Sequence, residues 1–464
     1  MLRFFILLIS SLVLYSCTKD NLLTSKDAPI YIGVDTIHFD TVFTTAGSIT
    51  QAFRIKNENR QRIRISAIRL AGGNTGVFRI NVNGEPGPLV QSLDIDGGDS
   101  AHVFVNLQIP SNSSTLPFLV RDSISIQWNG QEKWIQLDAY GQNARYIRNG
   151  VISSPTTWDN ALPYVILGPL VVEENTSLQI TKGSRIFLHA DASFLVKGSL
   201  QITGDTAKAD RVVFTGDRLD APYSGFPASW PGIIFTAASA NSRIQYANFN
   251  NAYQAIVVEG PETSGNYKLE LDQVQIDNAY DAGLLAINSS VFANNLLISN
   301  CGKNLQLAGG GKYTFQHCTI VALSNNLVAH KDPVAMISNA VMVNGQPVQA
   351  ALQAIFRNCI FWGEGGTVDN EVVALKEGNL PYEVVVAAGI WKMSQPVQHI
   401  LAEDMLTNEN PQFELFEPAT TTYNFRLKEG SPAIDKGRNL GVNIDLDGKN
   451  RPVGLPDFGA YEKQ

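Results

Sequence analysis

The sequence predicts an all-β protein: a β-sandwich, then a stacked parallel β-helix, then a C-terminal cap. Three observations predict it. Short runs alternate apolar with polar residues, the period of a half-buried strand. Gly and Asn-Gly breakers punctuate those runs. In the middle of the chain a set of residue columns returns about every 22 residues.

Residues 29–143 carry the sandwich. Their runs are Phe53/Ile55, Ile63/Ile65, Ile68/Leu70, Phe78/Ile80, Leu93/Ile95, Val103/Val105/Leu107, Ile124/Ile126/Trp128 and Ile135/Leu137. Asn129-Gly130 separates two of them and predicts a tight hairpin, because both residues tolerate positive φ. About eight strands in ~115 residues is the density of an immunoglobulin-like sandwich. The cysteine pair and packed Trp of an antibody-type domain are absent. Arg54, Arg60, Arg62, Arg64 and Arg69 form a basic patch, and Arg62 and Arg64 share one face. Such charges are expected to guard a strand edge against pairing; an anionic-glycan surface is the alternative.

Residues 144–410 carry the repeat. Ile276, Ile298, Ile320, Met342 and Phe361 align, with Phe249 before a lengthened loop. Two residues earlier stand Val274, Leu296, Cys318, Ala340 and Cys359. One residue before those stand Gln273, Asn295, His317, Asn339 and Asn358. Each repeat cannot bury its apolar face alone, so coils stack with equivalent residues ~4.8 Å apart. The apolar columns then make a continuous core, and the polar column makes amide ladders at the bends. In this alignment Cys318 and Cys359 stand two coils apart, ~9–10 Å, beyond disulfide reach. Val171-Val172, Leu178/Ile180, Ile186/Leu188, Phe194/Val196, Leu200/Ile202 and Val212/Phe214 extend the strands upstream. Ten to twelve coils are expected. The period stops after Phe361, and residues 411–464 are expected to pack over the last coil as a cap.

The N-terminus predicts export. Arg3, an apolar run from Phe4 to Leu14, and Ser16 before Cys17 form a short charged start, an apolar stretch and a small residue at a cut site. The run is too short to span a bilayer, which takes ~20 residues. Residues 1–16 are expected to be a signal peptide, and polar residues 17–28 a tether. Leu14-Tyr15-Ser16-Cys17 resembles the bacterial lipobox. The resemblance implies a diacylglycerol on Cys17 and anchoring of the chain in a bilayer of the bacterial envelope, the outer membrane being favoured.

Several stretches resemble exported lipoproteins with right-handed parallel β-helix domains. They are Ser177 to Ile186, Phe194 to Ile202, Val213 to Asp220, Trp230 to Ile234 and the Asn-Cys-Ile element at Asn358. Tyr423 to Asp435 and Asp457 to Glu462 resemble the choice-of-anchor element that follows such helices. The resemblance implies a right-handed coil and a C-terminal accessory element; it implies little about activity.

Composition narrows the function. A net charge of −8 over 464 residues argues against a nucleic-acid partner, which needs a basic surface. No Cys-x-x-Cys spacing supports structural zinc. The acidic and basic motifs of pectate-lyase-like and polygalacturonase-like sites are missing from the coils. Asp277, Asp281, Glu364, Asp369 and Glu371 show no carboxylate pair in a shared column. His317 is expected to bond at a bend. Asp217, Arg218, Tyr223, Phe226 and Trp230 interrupt the coil pattern, and aromatics beside charges suit sugar stacking; a loop folded over the coil face is the alternative. The candidate ligand set is Asp217, Arg218, Tyr223 and Trp230, with a polysaccharide as ligand. Asn443, Asp445 and Asp447 before Gly448 fit the first half of a calcium loop, although its twelfth position is Gly454. Two readings result: a non-catalytic binding scaffold for glycan or another envelope component, or a carbohydrate-active enzyme.

Overall fold

The computed structural model describes residues 22–261, 266–417 and 422–464. The expected signal peptide and Cys17 lie outside the described residues. The tether is shorter than expected: Leu23 bridges to Ile63, and Leu23 and Ser25 accept hydrogen bonds from the Asn129 amide at 3.0 and 2.9 Å. The chain forms two compact units, one ending at Asn143 and one starting at Ala144.

The first unit contains two five-stranded sheets. One runs in the order Ile30–Ile32, Gln51–Asn57, Ser100–Leu107, Phe78–Val82, Glu85–Pro86. The other runs Thr36–Phe43, Gln131–Gln142, Phe118–Trp128, Ile63–Leu70, Leu89–Ile95. Among the described strands, Thr36–Phe43 and Gln131–Gln142 pair in parallel and the other ladders are antiparallel; the Leu23–Ile63 bridge is also parallel. Alternate residues from both sheets, among them Ile55, Ile63, Phe78, Val105, Ile126 and Ile135, make one core. Asn129-Gly130 is the two-residue hairpin, with φ of +44° and +78° between paired Trp128 and Gln131. The arginines do not guard an edge. Ile63–Leu70 lies inside its sheet, and Arg62 and Arg64 pair across the outer strand with Asp96 and Asp94, each at 2.6 Å.

The second unit is a parallel β-helix of three faces. Strands repeat their direction and pair with the equivalent strand of the next coil, giving one continuous 23-stranded parallel system. One register column runs Trp158, Ile180, Ile202, Ile244, Leu271, Ala293, Phe315, Phe356, Val386, Ala402, in the core as far as Val386 and exposed at Ala402. Ten stacked residues span about 43 Å at ~4.8 Å per step. Aromatic neighbours in such columns stack at the coil spacing: Phe214 on Phe249 at 4.8 Å and Phe315 on Phe356 at 5.0 Å.

The bends explain the polar column. Tyr246, Gln273, Asn295, His317 and Asn358 all have φ near +50°. Asn reaches this left-handed region more readily than most side chains. Further bends at Asn251, Asn278 and Asn300 repeat the device at the far end of the same face. The amide ladder is only partly made. His317 Nε2 meets the Asn358 amide at 3.0 Å, but Asn295 donates instead to the Ile444 carbonyl at 2.9 Å.

The alignment needs one correction. Ile320 pairs directly with Phe361, so Met342 is not in the column. Residues Ala340–Val343 and Gln346–Gln349 form an antiparallel hairpin around Asn344-Gly345, which carries Met342 out to solvent. The insertion between Ile320 and Phe361 is close to one extra period in length and so imitates a coil. Cys318 and Cys359 therefore occupy adjacent coils, not alternate ones. The helix also continues past Phe361: Phe361 pairs with Trp391, and Trp391 with Thr407.

The C-terminal segment packs on the coils along their flank, rather than only over the last one. Outward-facing Leu297, Val321, Leu323, Ile360, Trp362 and Ile390 are covered by Phe413, Phe425, Leu427, Leu446, Phe458 and Tyr461. Its ties run from Arg211, which donates to the Leu446 carbonyl, to Asp404, which pairs with Arg438. Between them Arg451 donates to Asn295 Oδ1 at 2.7 Å, and Arg438 is held on both backbone sides by the Asn358 amide. Arg451 also meets Glu462 at 2.9 Å, both fully buried.

Candidate functional site

The covering segment packs on the apolar later coils and leaves a cleft over polar residues of the earlier ones. On the same face, Asn248, Gln275 and Leu297 stack in register, as do Asn250, Asp277 and Ser299. These residues floor a cleft of about 510 Å³. Thr206, Lys208 and Arg211 close one side. The strand Thr422–Leu427 supplies the facing wall with Tyr423, Asn424 and Arg426, joined by Asp447 and Tyr461. A second recess of about 200 Å³ shares Asp277 and Tyr423 and is lined by the bend residues Asn251, Asn278 and Asn300.

Asp277 sits where the two recesses meet. Its Oδ1 accepts from Ser299 Oγ at 2.6 Å and from Asn300 Nδ2 at 3.1 Å. Burial holds its carboxyl above the usual carboxylate range against these bonds. The Tyr423 hydroxyl and Asn300 Oδ1 are buried without a hydrogen-bond partner among the described residues. Burial, and then the nearby Asp277 carboxyl, push the Tyr423 hydroxyl up. Buried polar atoms are nearly always bonded, so two orphans in one recess mark a place where a ligand or water completes the structure. Asp447 is already committed: its two oxygens accept from Arg426 at 2.6 and 2.8 Å.

The residues singled out in sequence scatter. Arg218 forks onto Asp220 at 2.7 and 2.8 Å and lies 4.2 Å over the Tyr223 ring, which meets Phe226 edge-on. Arg218, Tyr223 and Phe226 are exposed, and Asp220 is half-buried. Asp217 pairs instead with His189 at 2.8 Å. Trp230 is buried: its Nε1 donates to the Asn250 carbonyl at 2.8 Å and its ring stacks on Phe214 in the core. It therefore offers no surface for a sugar. The loop folds over the coil face, with the Ser224 and Gly225 carbonyls accepting from Asn251 and Asn278, and Gly225 borders the second recess.

In the stretch read as half a calcium loop, the carboxylates have protein partners. Asp445 Oδ1 accepts the Asp447 and Lys449 amides, and its Oδ2 accepts the Glu462 amide. With Asp447 on Arg426, these oxygens organise a turn. Among the described residues no group of three or more His, Cys, Asp or Glu side chains could hold a metal. His317 is a bend residue; burial, then the Arg451 charge, hold its imidazole well below its ordinary value.

Sequence reasoning missed Lys208, Arg211, Tyr423 and Arg426. Tyr423 and Arg426 lie far along the chain from the coils they face. One signal was present: Ile320–Leu323 and Ile360-Phe361-Trp362 are continuously apolar. Such strands are buried on both faces, which calls for a cover on that flank.

The fold and the cleft define this chain as a parallel β-helix protein with a laterally covered polar groove, preceded by a β-sandwich. No family model matches it, and no curated protein does. Solved structures that match include a family 123 glycoside hydrolase from Clostridium perfringens, described for glycolipid glycan hydrolysis. It is 12% identical, with a TM-score of 0.19 over 24% of this chain and 25% of that one. This chain thus spans a quarter of that hydrolase's length. Another is the ASH / PapD-like domain 7 of human CEP192, 10% identical, with a TM-score of 0.17 over 25% of this chain and 85% of that one. At these scores neither likeness bears on activity.

Proposed function

We propose that this chain is a lipid-anchored protein of the bacterial envelope whose β-helix presents a binding groove, with a glycan as its ligand. The observation that carries this reading is the lining of the groove: stacked Asn248, Asn250, Gln275 and Ser299 opposite Tyr423, Asn424 and Tyr461. Amides, hydroxyls and phenol rings match the hydroxyls and C–H faces of a sugar. The two carboxylates give no free pair, since Asp447 is spent on Arg426. A glycan-array screen with a parallel depolymerisation assay tests it. Binding without chain cleavage is expected, and cleavage of the bound glycan would replace this reading with the second one.

That second reading, a carbohydrate-active enzyme, rests on Asp277, whose raised carboxyl suits a general acid. Under it, Asp277→Asn abolishes cleavage while binding survives.

The anchor rests on Leu14 to Cys17 and on the apolar run before it. Acyl chains on Cys17 supply enough apolar area for stable attachment. Cys17→Ala is expected to shift the protein from the detergent phase to the aqueous phase; a variant that still partitions into detergent would refute the anchor.

A further inference from the structure

The charges around the cleft are unbalanced. Lys208, Arg211 and Arg426 line it against Asp277 and Asp447. Arg426 and Asp447 satisfy each other. Lys208 is exposed on the 3-10 turn Lys208–Asp210 and forms no ion pair among the described residues. Arg211 is buried, yet its partners are neutral: Asn248 Oδ1 at 2.7 Å and the carbonyls of Ala247, Gln273 and Leu446. A buried guanidinium without a carboxylate is costly, and burial lowers its pKa. The Tyr423 hydroxyl adds a donor with no acceptor. The cleft thus holds more cation and donor than its own acceptors use.

We propose that the cleft takes an acidic glycan, with Lys208 and Arg211 facing the sugar's anionic group. This rests on the glycan reading above and deepens it. The shared ligand chemistry is a sugar carrying a negative charge, either a uronate carboxylate or a sulfate ester. Hydrogen bonds from ionised donors to such groups are stronger than neutral ones, so charge rather than ring shape sets the preference.

The test is calorimetric titration of the full chain with oligogalacturonate, with its fully methyl-esterified form, and with a sulfated galactan oligomer. The esterified form keeps the backbone and removes the charge. Oligogalacturonate or the sulfated oligomer is expected to bind, the ester more weakly, and the affinity to fall with added salt. Whichever anionic probe binds identifies the group. Lys208→Glu should weaken binding about fivefold or more; Lys208 is exposed, so its replacement leaves the fold intact, which thermal melting verifies. Equal affinity for ester and acid, or an unchanged Lys208→Glu variant, would overturn the charge inference and leave the glycan reading standing. Failure of all three probes, together with an empty glycan array, would overturn both.

Discussion

Cys318 and Cys359 are far apart in sequence and neighbours in the core. Thr319 pairs with Ile360, and the Ile360 N–H donates to the Cys318 carbonyl at 2.9 Å, so the two cysteines hold the same position on adjacent coils. Their thiols donate to the Gln316 and Arg357 carbonyls, each at 3.3 Å, and both are buried.

Burial pushes the Cys318 thiol well up, and the thiolate is the reactive form. Cys301, Cys318 and Cys359 should resist a thiol reagent in the native protein and all react after unfolding without reductant. Titration of only Cys301 would show that the adjacent pair is joined.

Asn358 ties the coil to the covering segment. It bonds the Arg438 carbonyl at 2.7 Å, the Arg438 N–H at 2.9 Å and His317, from a backbone with φ of +55°. Asn358→Ala should cost about 2–4 kcal/mol in denaturant unfolding. Asn358→Gly loses the same bonds but not the backbone fit, and should be less destabilised by about 1 kcal/mol. Equal losses would mean the left-handed bend carries no strain.

Removal of the covering segment uncovers Leu297, Val321, Ile360, Trp362 and Ile390 on one flank. A chain ending at Asn410 should bind a hydrophobic dye and aggregate, because large contiguous apolar patches are rare on monomeric proteins. Residues 29–143 expressed alone should unfold cooperatively, since their core is their own. A soluble, monomeric truncation with the parent's heat stability would show that the flank needs no cover.

Acid should favour the covering segment. Burial pushes the Asp457 carboxyl up to about 6 from 3.8, so between those values the folded chain holds a proton that the unfolded chain has lost. Its contribution to stability is therefore greatest near pH 4 and declines as pH rises through 6. Asp457→Asn should flatten the pH dependence between 4 and 7 by on the order of 2–3 kcal/mol. Its lost acceptor for the Lys463 N–H adds a cost that does not vary with pH. An unchanged slope would place the titration elsewhere.

The sequence by itself determined the local geometry. Alternation set the strands, Asn129-Gly130 set a hairpin, and the column from Phe249 through Ile320 set the stacking, because period and φ preference act between neighbours in the chain. Tertiary structure decided what depends on distant partners. It ejected Met342 because the Asn344-Gly345 turn closes a hairpin of nearly one coil's length. It buried Trp230 against Phe214 and turned Asp445 to backbone amides. Above all, it laid Tyr423, Arg426 and Asp447 opposite Asp277. The apolar flank of the later coils, with the ties at Arg211, Asn295 and Asn358, fixes where the last segment docks, and the polar residues of the earlier coils leave the cleft open beneath it.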